Sequence, residues 1–181
     1  DERIKEKKKL NLNRGCAYAI NYVMSKRKKE QFFFHLDSDT CMMTSDWITK
    51  FMEVMNEYPE IGAASTVKPS IIRYYSIYSK KLNKHGVEVG VIDALIGNCL
   101  CIRPEVIDIL GYFNEETGRC DSDYSIRINK FTNYKMALVK SIVIDQKQKI
   151  ECSECIMSNM CKVKNNNITC FKIRDNKYQN E

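Results

Sequence analysis

The run Phe32-Phe33-Phe34-His35-Leu36 is apolar and aromatic, and it stops at Asp37-Ser38-Asp39. A short continuous apolar run ending in turn-forming acids has the profile of a strand buried on both faces, and such strands need helices to cover them. The flanking sequence has a helical period. Before the run, Ala17, Ile20, Val23 and Met24 recur at helical spacing, and the basic cluster Lys26 to Lys29 follows where cations suit the helix dipole. After it, Trp47, Phe51, Val54, Met55 and Tyr58 stand at i, i+4, i+7, i+8 and i+11, with Thr44 and Ser45 as cap-type residues and Pro59 as the stop. Gly62 to Val67 reads as a second strand. Helix, strand, helix, strand over residues 15–67 predicts an α/β fold, with a mainly parallel sheet flanked by helices.

Further along, Ala94 to Ile102 is strand-like. Arg103-Pro104 then opens a helix through Val106, Ile107, Ile109 and Leu110, with proline in the first turn and Gly111 at the stop. Another helix begins near Asp121-Ser122-Asp123, and Tyr134 to Ile144 supplies one or two strands. Residues 70–93, rich in Tyr and Lys, follow neither period. From Gln146 the sequence turns polar and Cys-rich, which places a boundary near residue 148 between a domain over 1–148 and a Cys-rich tail over 149–181.

A chain of 181 residues fits one ordinary domain and a small appendage. With 44% hydrophobic residues, three prolines and seven glycines, a disordered or collagen-like chain is excluded. No stretch approaches the roughly 18 to 20 apolar residues of a membrane span, so membrane contact is expected to be peripheral. The odd total of nine cysteines and an opening without signal character speak against a secreted disulfide framework. The expected compartment is the reducing cytoplasm, with the inner face of the membrane as the place for any peripheral contact.

Asp37 and Asp39 carry the most specific chemistry. They follow a strand's carboxyl end, where open α/β sheets place ligands, and two carboxylates one residue apart on a turn can face one divalent cation. Mg²⁺ or Mn²⁺ keeps one or two such carboxylates and takes phosphate oxygens for the rest, which suits a metal–diphosphate complex. The same pair also serves simply to start a turn and cap a helix.

Four blocks in order extend this reading: Asn13-Arg14-Gly15-Cys16-Ala17-Tyr18-Ala19-Ile20-Asn21; Phe33 to Asp39; Gly97-Asn98-Cys99-Leu100-Cys101-Ile102-Arg103-Pro104-Glu105-Val106 with Gly111 to Glu115; and Asp121-Ser122-Asp123-Tyr124-Ser125-Ile126-Arg127. Over roughly residues 11–145 the chain resembles the family-2 glycosyltransferases, which have the GT-A fold. The resemblance implies transfer of a sugar, with inversion, from a nucleotide diphosphate donor to the hydroxyl of a glycan, lipid-linked or protein acceptor. A UDP-sugar is the first expectation for the donor. Asp37 and Asp39 match the family's Asp-x-Asp motif and would hold Mn²⁺ or Mg²⁺ on the diphosphate. Asn21, Gly97, Asn98 and Arg127 are carried over as donor-binding positions, and Asp121 as the catalytic base. Arg127 also stands one helical turn from Asp123, as an ion-pair partner would.

The chain departs from the family pattern in three places. Cys120 replaces the Glu of the family's Glu-Asp-x-Asp block. After the last strand, where many relatives carry a metal-binding His, Val143-Ile144-Asp145-Gln146 offers only Asp145. The sequence also begins after the strand and helix that would hold the nucleotide base, so the fold is expected to be truncated on its N-terminal side, with weak donor binding and little turnover on its own. His35 reads as a satisfied core histidine and His85, beside Gly86, as a loop residue.

In the tail, Cys152, Cys155, Cys161 and Cys170 supply four thiols, the number that a structural zinc site or an iron–sulfur cluster needs, and the same stretch reads equally as a disordered or merely Cys-rich tail. Two competing readings remain. One is a zinc-containing basic nucleic-acid-binding module, drawing on the net charge of +6 and on Tyr74, Tyr75 and Tyr78 among basic residues. The other is an inactive scaffold with a transferase fold. The acidic Asp37–Asp39 turn is poorly placed for a nucleic-acid backbone, so no nucleic acid is expected as a partner.

Overall fold

The computed structural model describes residues 6, 8, 14–69, 71–72, 80–117 and 119–146. The four tail cysteines and Tyr74, Tyr75 and Tyr78 lie outside the described residues. In chain order the elements are α1 (Cys16–Met24), β1 (Phe33–Leu36), β2 (Thr40–Met42), α2 (Trp47–Glu57), β3 (Ile61–Ser65), β4 (Lys80–Lys84), β5 (Val87–Ile92), β6 (Cys99–Ile102), α3 (Pro104–Leu110), α4 (Cys120–Phe131), β7 (Lys135–Leu138) and β8 (Ile144–Gln146).

Six strands form one sheet in the order β1-β6-β3-β7-β5-β4, and β2 pairs with β8 in a small separate ribbon. The α/β class is as expected, with a mixed sheet. β1, β3, β7 and β4 run in one direction, while β6 and β5 run the other way. Because β6 is inserted antiparallel between β1 and β3, direct parallel pairing among the described residues is confined to β3 and β7.

Alternation along the strands divides the core in two. Ala63, Leu100, Ile102, Met136 and Leu138 face one side, where α1, α3 and α4 cover them with Ile20, Met24, Val106, Ile107, Tyr124 and Ile128. Ala64, Cys99, Cys101, Ala137 and Val139 face the other, under Phe51, Val54 and Met55 of α2. Phe34 meets Trp47 and Phe51 edge-on, with ring centroids 5.8 and 5.9 Å apart, so the aromatic strand is fastened to the helix that follows it. Helices on both faces explain why β3 and β6 are buried along their whole length, whereas β1, expected to be buried on both faces, ends the described sheet order with Phe33 buried, Phe34 and His35 half-buried and Leu36 exposed.

The segment without a clear period is a hairpin. β4, Lys80-Lys81-Leu82-Asn83-Lys84, is largely exposed at the sheet edge, where lysines discourage pairing with another chain. It turns into β5 at His85 (φ 48°) and Gly86 (φ 82°), the two positive φ values of a type I′ turn. No helix among the described residues is long and apolar enough to cross a membrane.

Candidate active site

Strand register brings the acidic turn to the start of β6. Leu36 is opposite Cys99, so the residue after β1 lies beside the residue before β6. The Asp37 N–H donates to the Asn98 carbonyl at 2.8 Å, and the Thr40 N–H closes the turn onto the Asp37 carbonyl at 3.0 Å. The Thr40 hydroxyl also points at the Asn98 carbonyl, 3.4 Å away. Asp37 is half-buried and Asp39 is exposed further along the same turn.

Asp121 reaches the same place from the first turn of α4. A Cβ on Gly97 would lie 3.2 Å from Asp121 Oδ2, so the backbone at Gly97 runs directly against this carboxylate. Asp121 Oδ1 accepts from the Ser122 N–H at 2.9 Å. The buried Ser125 hydroxyl donates to the Asp121 carbonyl at 2.7 Å and accepts from the Leu95 N–H at 2.8 Å, which ties α4 to the chain entering Gly97. Asp37, Gly97, Asn98 and Asp121 are thus gathered at one end of the sheet.

Asn21 and Arg127 are engaged elsewhere. The buried Asn21 amide donates to the Phe113 carbonyl at 2.9 Å and to Glu115 Oε1 at 3.0 Å, while its oxygen accepts from the Phe113 N–H at 2.9 Å. Arg127 pairs with Asp123 at 2.9 Å and donates to the Leu110 and Tyr112 carbonyls at 3.0 and 2.8 Å. Both side chains fasten a helix to the 110–115 segment. Asp145 lies opposite Cys41 in the β2–β8 ribbon and is exposed.

Three residues join the cluster without having been assigned to it from the sequence. His35 is not a core histidine: it is half-buried, and its Nε2 lies 2.8 Å from Asp37 Oδ1. Residues 35 and 37 share a face by the two-residue strand period, which was the available signal. Cys16, at the start of α1, places its thiol within 4.8 Å of donor atoms on both His35 and Asp37. The Cys120 thiol is hydrogen-bonded to Cys16, and that contact, followed by burial and the nearby charges of Cys16 and Asp121, drives its pKa strongly upward. Neither thiol is in a disulfide.

No protein-family model and no curated protein matches the chain. A solved structure does: the mannosyltransferase PcManGT from Pyrobaculum calidifontis, in complex with GDP-Man and Mn²⁺, superposes with a TM-score of 0.57 at 20% identity. The fold is glycosyltransferase-like. The match covers 72% of this chain and 36% of the neighbour, so the chain spans about a third of that protein's length. At this identity the likeness concerns the fold, and the site rests on the residues described above.

Proposed function

We propose that this chain carries the catalytic part of an inverting, metal-dependent glycosyltransferase of family 2, acting on a nucleotide diphosphate sugar and an acceptor hydroxyl. The observation that carries the reading is the convergence of Asp37 and Asp121 on the Gly97–Asn98 backbone, at one end of a sheet with a glycosyltransferase-like fold.

The hard oxygen donors of Asp37 and Asp39 fit Mn²⁺ or Mg²⁺. Such an ion, when bound, offsets the negative charge that builds on the departing diphosphate. Asp37 would hold the ion in a fixed position, because its backbone is pinned to Asn98 and its carboxylate to His35. Asp121 takes the proton from the acceptor hydroxyl as the oxygen attacks. Its place in the first turn of α4, with Oδ1 held by the Ser122 N–H, fixes where the carboxylate can meet that proton. Gly97 lets the backbone pass directly against that carboxylate, and the carbonyl of the next residue, Asn98, holds the Asp37 N–H. The donor nucleotide is read as UDP from the resemblance, and the neighbour's GDP-Man makes a GDP-sugar the comparison to run.

The test is Mn²⁺-dependent binding and transfer with UDP- and GDP-sugars, measured for the parent, Asp37→Ala and Asp121→Asn. Asp37→Ala is expected to weaken metal-dependent nucleotide binding. Asp121→Asn is expected to spare binding and cut turnover by about 10²- to 10⁴-fold, the usual worth of a positioned base. Transfer unchanged in both variants would refute the assignment, and tight donor binding without any turnover would favour the scaffold reading.

A further inference from the structure

Three potential ligands meet beside the candidate donor site, Cys16 at the start of α1 with His35 and Asp37 at the end of β1, and a fourth, Cys120 at the start of α4, adjoins them through Cys16. One donor atom from each of Cys16, His35 and Asp37 lies within 4.8 Å of the others, and the Cys120 thiol touches that of Cys16. In a tetrahedral site with metal–sulfur bonds of about 2.3 Å and metal–nitrogen or –oxygen bonds of about 2.0 Å, neighbouring donors stand roughly 3.3 to 3.8 Å apart. Side-chain movements of about 1 Å bring the Cys16, His35 and Asp37 donors to that spacing, and Cys120, which stands outside this group and meets it through Cys16, swings further to supply the fourth.

The donor set is two sulfurs, one imidazole nitrogen and one carboxylate oxygen, which suits a borderline-soft tetrahedral ion and not the octahedral oxygen shell of Mg²⁺. We propose that Cys16, His35, Asp37 and Cys120 form a binding site for a zinc-class divalent cation, separate in chemistry from the carboxylate–diphosphate site and sharing Asp37 with it. Cys16 is exposed and gives the ion a way in. Binding replaces the thiol protons of Cys16 and Cys120, and any proton held between His35 and Asp37, with the metal; the protons leave to solvent.

The bound ion would tie the first turn of α1 to the first turn of α4 beside Asp121. A further consequence rests on the glycosyltransferase reading: an Asp37 carboxylate turned towards zinc is withdrawn from the donor's metal, so zinc inhibits transfer and Mn²⁺ with donor relieves it. The site itself does not depend on that reading.

Cobalt(II) is the probe, because thiolate ligation gives it a charge-transfer absorption. The protein is first altered at Cys152, Cys155, Cys161 and Cys170 to Ser, so that the tail thiols contribute nothing, and kept reduced with a non-chelating phosphine. The expected result is one equivalent of tetrahedral Co²⁺ displaced by Zn²⁺, a charge-transfer band about halved in Cys120→Ser, and affinity at least about tenfold weaker in Cys16→Ser and His35→Gln. On the unaltered protein, Zn²⁺ is expected to protect Cys16 and Cys120 from alkylation while the exposed Cys41 stays reactive, a readout that needs no variant. A cobalt spectrum indifferent to Cys16→Ser and Cys120→Ser, or alkylation of Cys16 and Cys120 indifferent to zinc, would overturn the proposal. Zinc binding by these criteria in a protein without transferase activity would count against the glycosyltransferase reading alone.

Discussion

A Cβ built on Gly97 would stand 3.2 Å from Asp121 Oδ2, closer than an ordinary van der Waals contact. The chain entering β6 therefore leaves no room for a side chain beside the candidate base. Gly97→Ala should push the Asp121 carboxylate aside by a few tenths of an ångström. Since a misplacement of about 1 Å can cost roughly 10²-fold, a loss of about tenfold in turnover is expected. Metal-dependent nucleotide binding should fall by less than turnover does, because Asp37 is held independently by Asn98 and His35. Steady-state kinetics paired with a binding titration separates the two, and a loss confined to binding would contradict the assignment of Asp121.

His35 acts on Asp37 through the 2.8 Å contact between Nε2 and Oδ1. It is a positioning residue in the proposed donor site. Its replacement by Ala should lower Mn²⁺-dependent nucleotide affinity by about 10- to 100-fold, the range for groups that orient a metal ligand. His35→Gln, which keeps a donor at similar reach, should recover part of the loss. If Ala and Gln behave alike and both match the parent, the ring does not orient the carboxylate.

The parts of the fold legible in the sequence were those with a clear period. The Phe32–Leu36 run, the Trp47–Tyr58 stripe and the Pro104–Gly111 helix with its proline entry and glycine stop all correspond to elements. The β4–β5 hairpin was hidden, because β4 has one apolar residue among five and its turn places His85 at positive φ, where Gly or Asn is the usual signal. The site was legible only along the chain. Asp37 could be read as the acid ending a buried strand, but its company depends on two helix starts reaching the same end of the sheet. Cys16 and Cys120 are 104 positions apart in the sequence, and nothing local links them. Similarly, Asn21 takes partners 92 and 94 residues away, and the resemblance that made it a donor ligand carries no trace of that clamp.

Gly62 marks a close approach between β3 and its cover. A Cβ there would lie 2.5 Å from both Tyr134 Cβ and Val106 Cγ2, and a Cβ anchored to backbone cannot swing away. Its carbonyl also accepts the Arg103 N–H at 2.8 Å, which limits backbone retreat. Gly62→Ala should destabilise by about 1–3 kcal/mol or more. At roughly 2–4 °C per kcal/mol for a chain of this size, a fall in Tm of several degrees is expected by calorimetry. A stability equal to the parent would mean that α3 and Tyr134 can move off the sheet together.

Tyr124 gives the fold an alkaline limit. Its ring is fully buried, stacks on Phe113 with centroids 4.2 Å apart, and directs its hydroxyl to the Gly111 carbonyl at 3.2 Å. Burial pushes its pKa from 10.0 up to about 12, against the opposing pull of Arg127 and Arg27. Between those values the folded protein keeps a proton that the unfolded chain has lost. The contribution is therefore complete below pH 10 and disappears as pH rises through about 12. A difference of about two pKa steps corresponds to roughly 2–3 kcal/mol. Tyr124→Phe keeps the stack but loses the hydrogen bond, a cost of about 1 kcal/mol near neutrality. Denaturant titrations at about pH 8 and about pH 11.5 should show the variant less stable at the first and level with or above the parent at the second. Buried Cys99, also raised to about 12, contributes a slope of the same sign to both proteins, so the informative quantity is the gap between them. A gap that stays constant across this range would mean that the Tyr124 hydroxyl ionises no differently in the folded protein than in the unfolded chain.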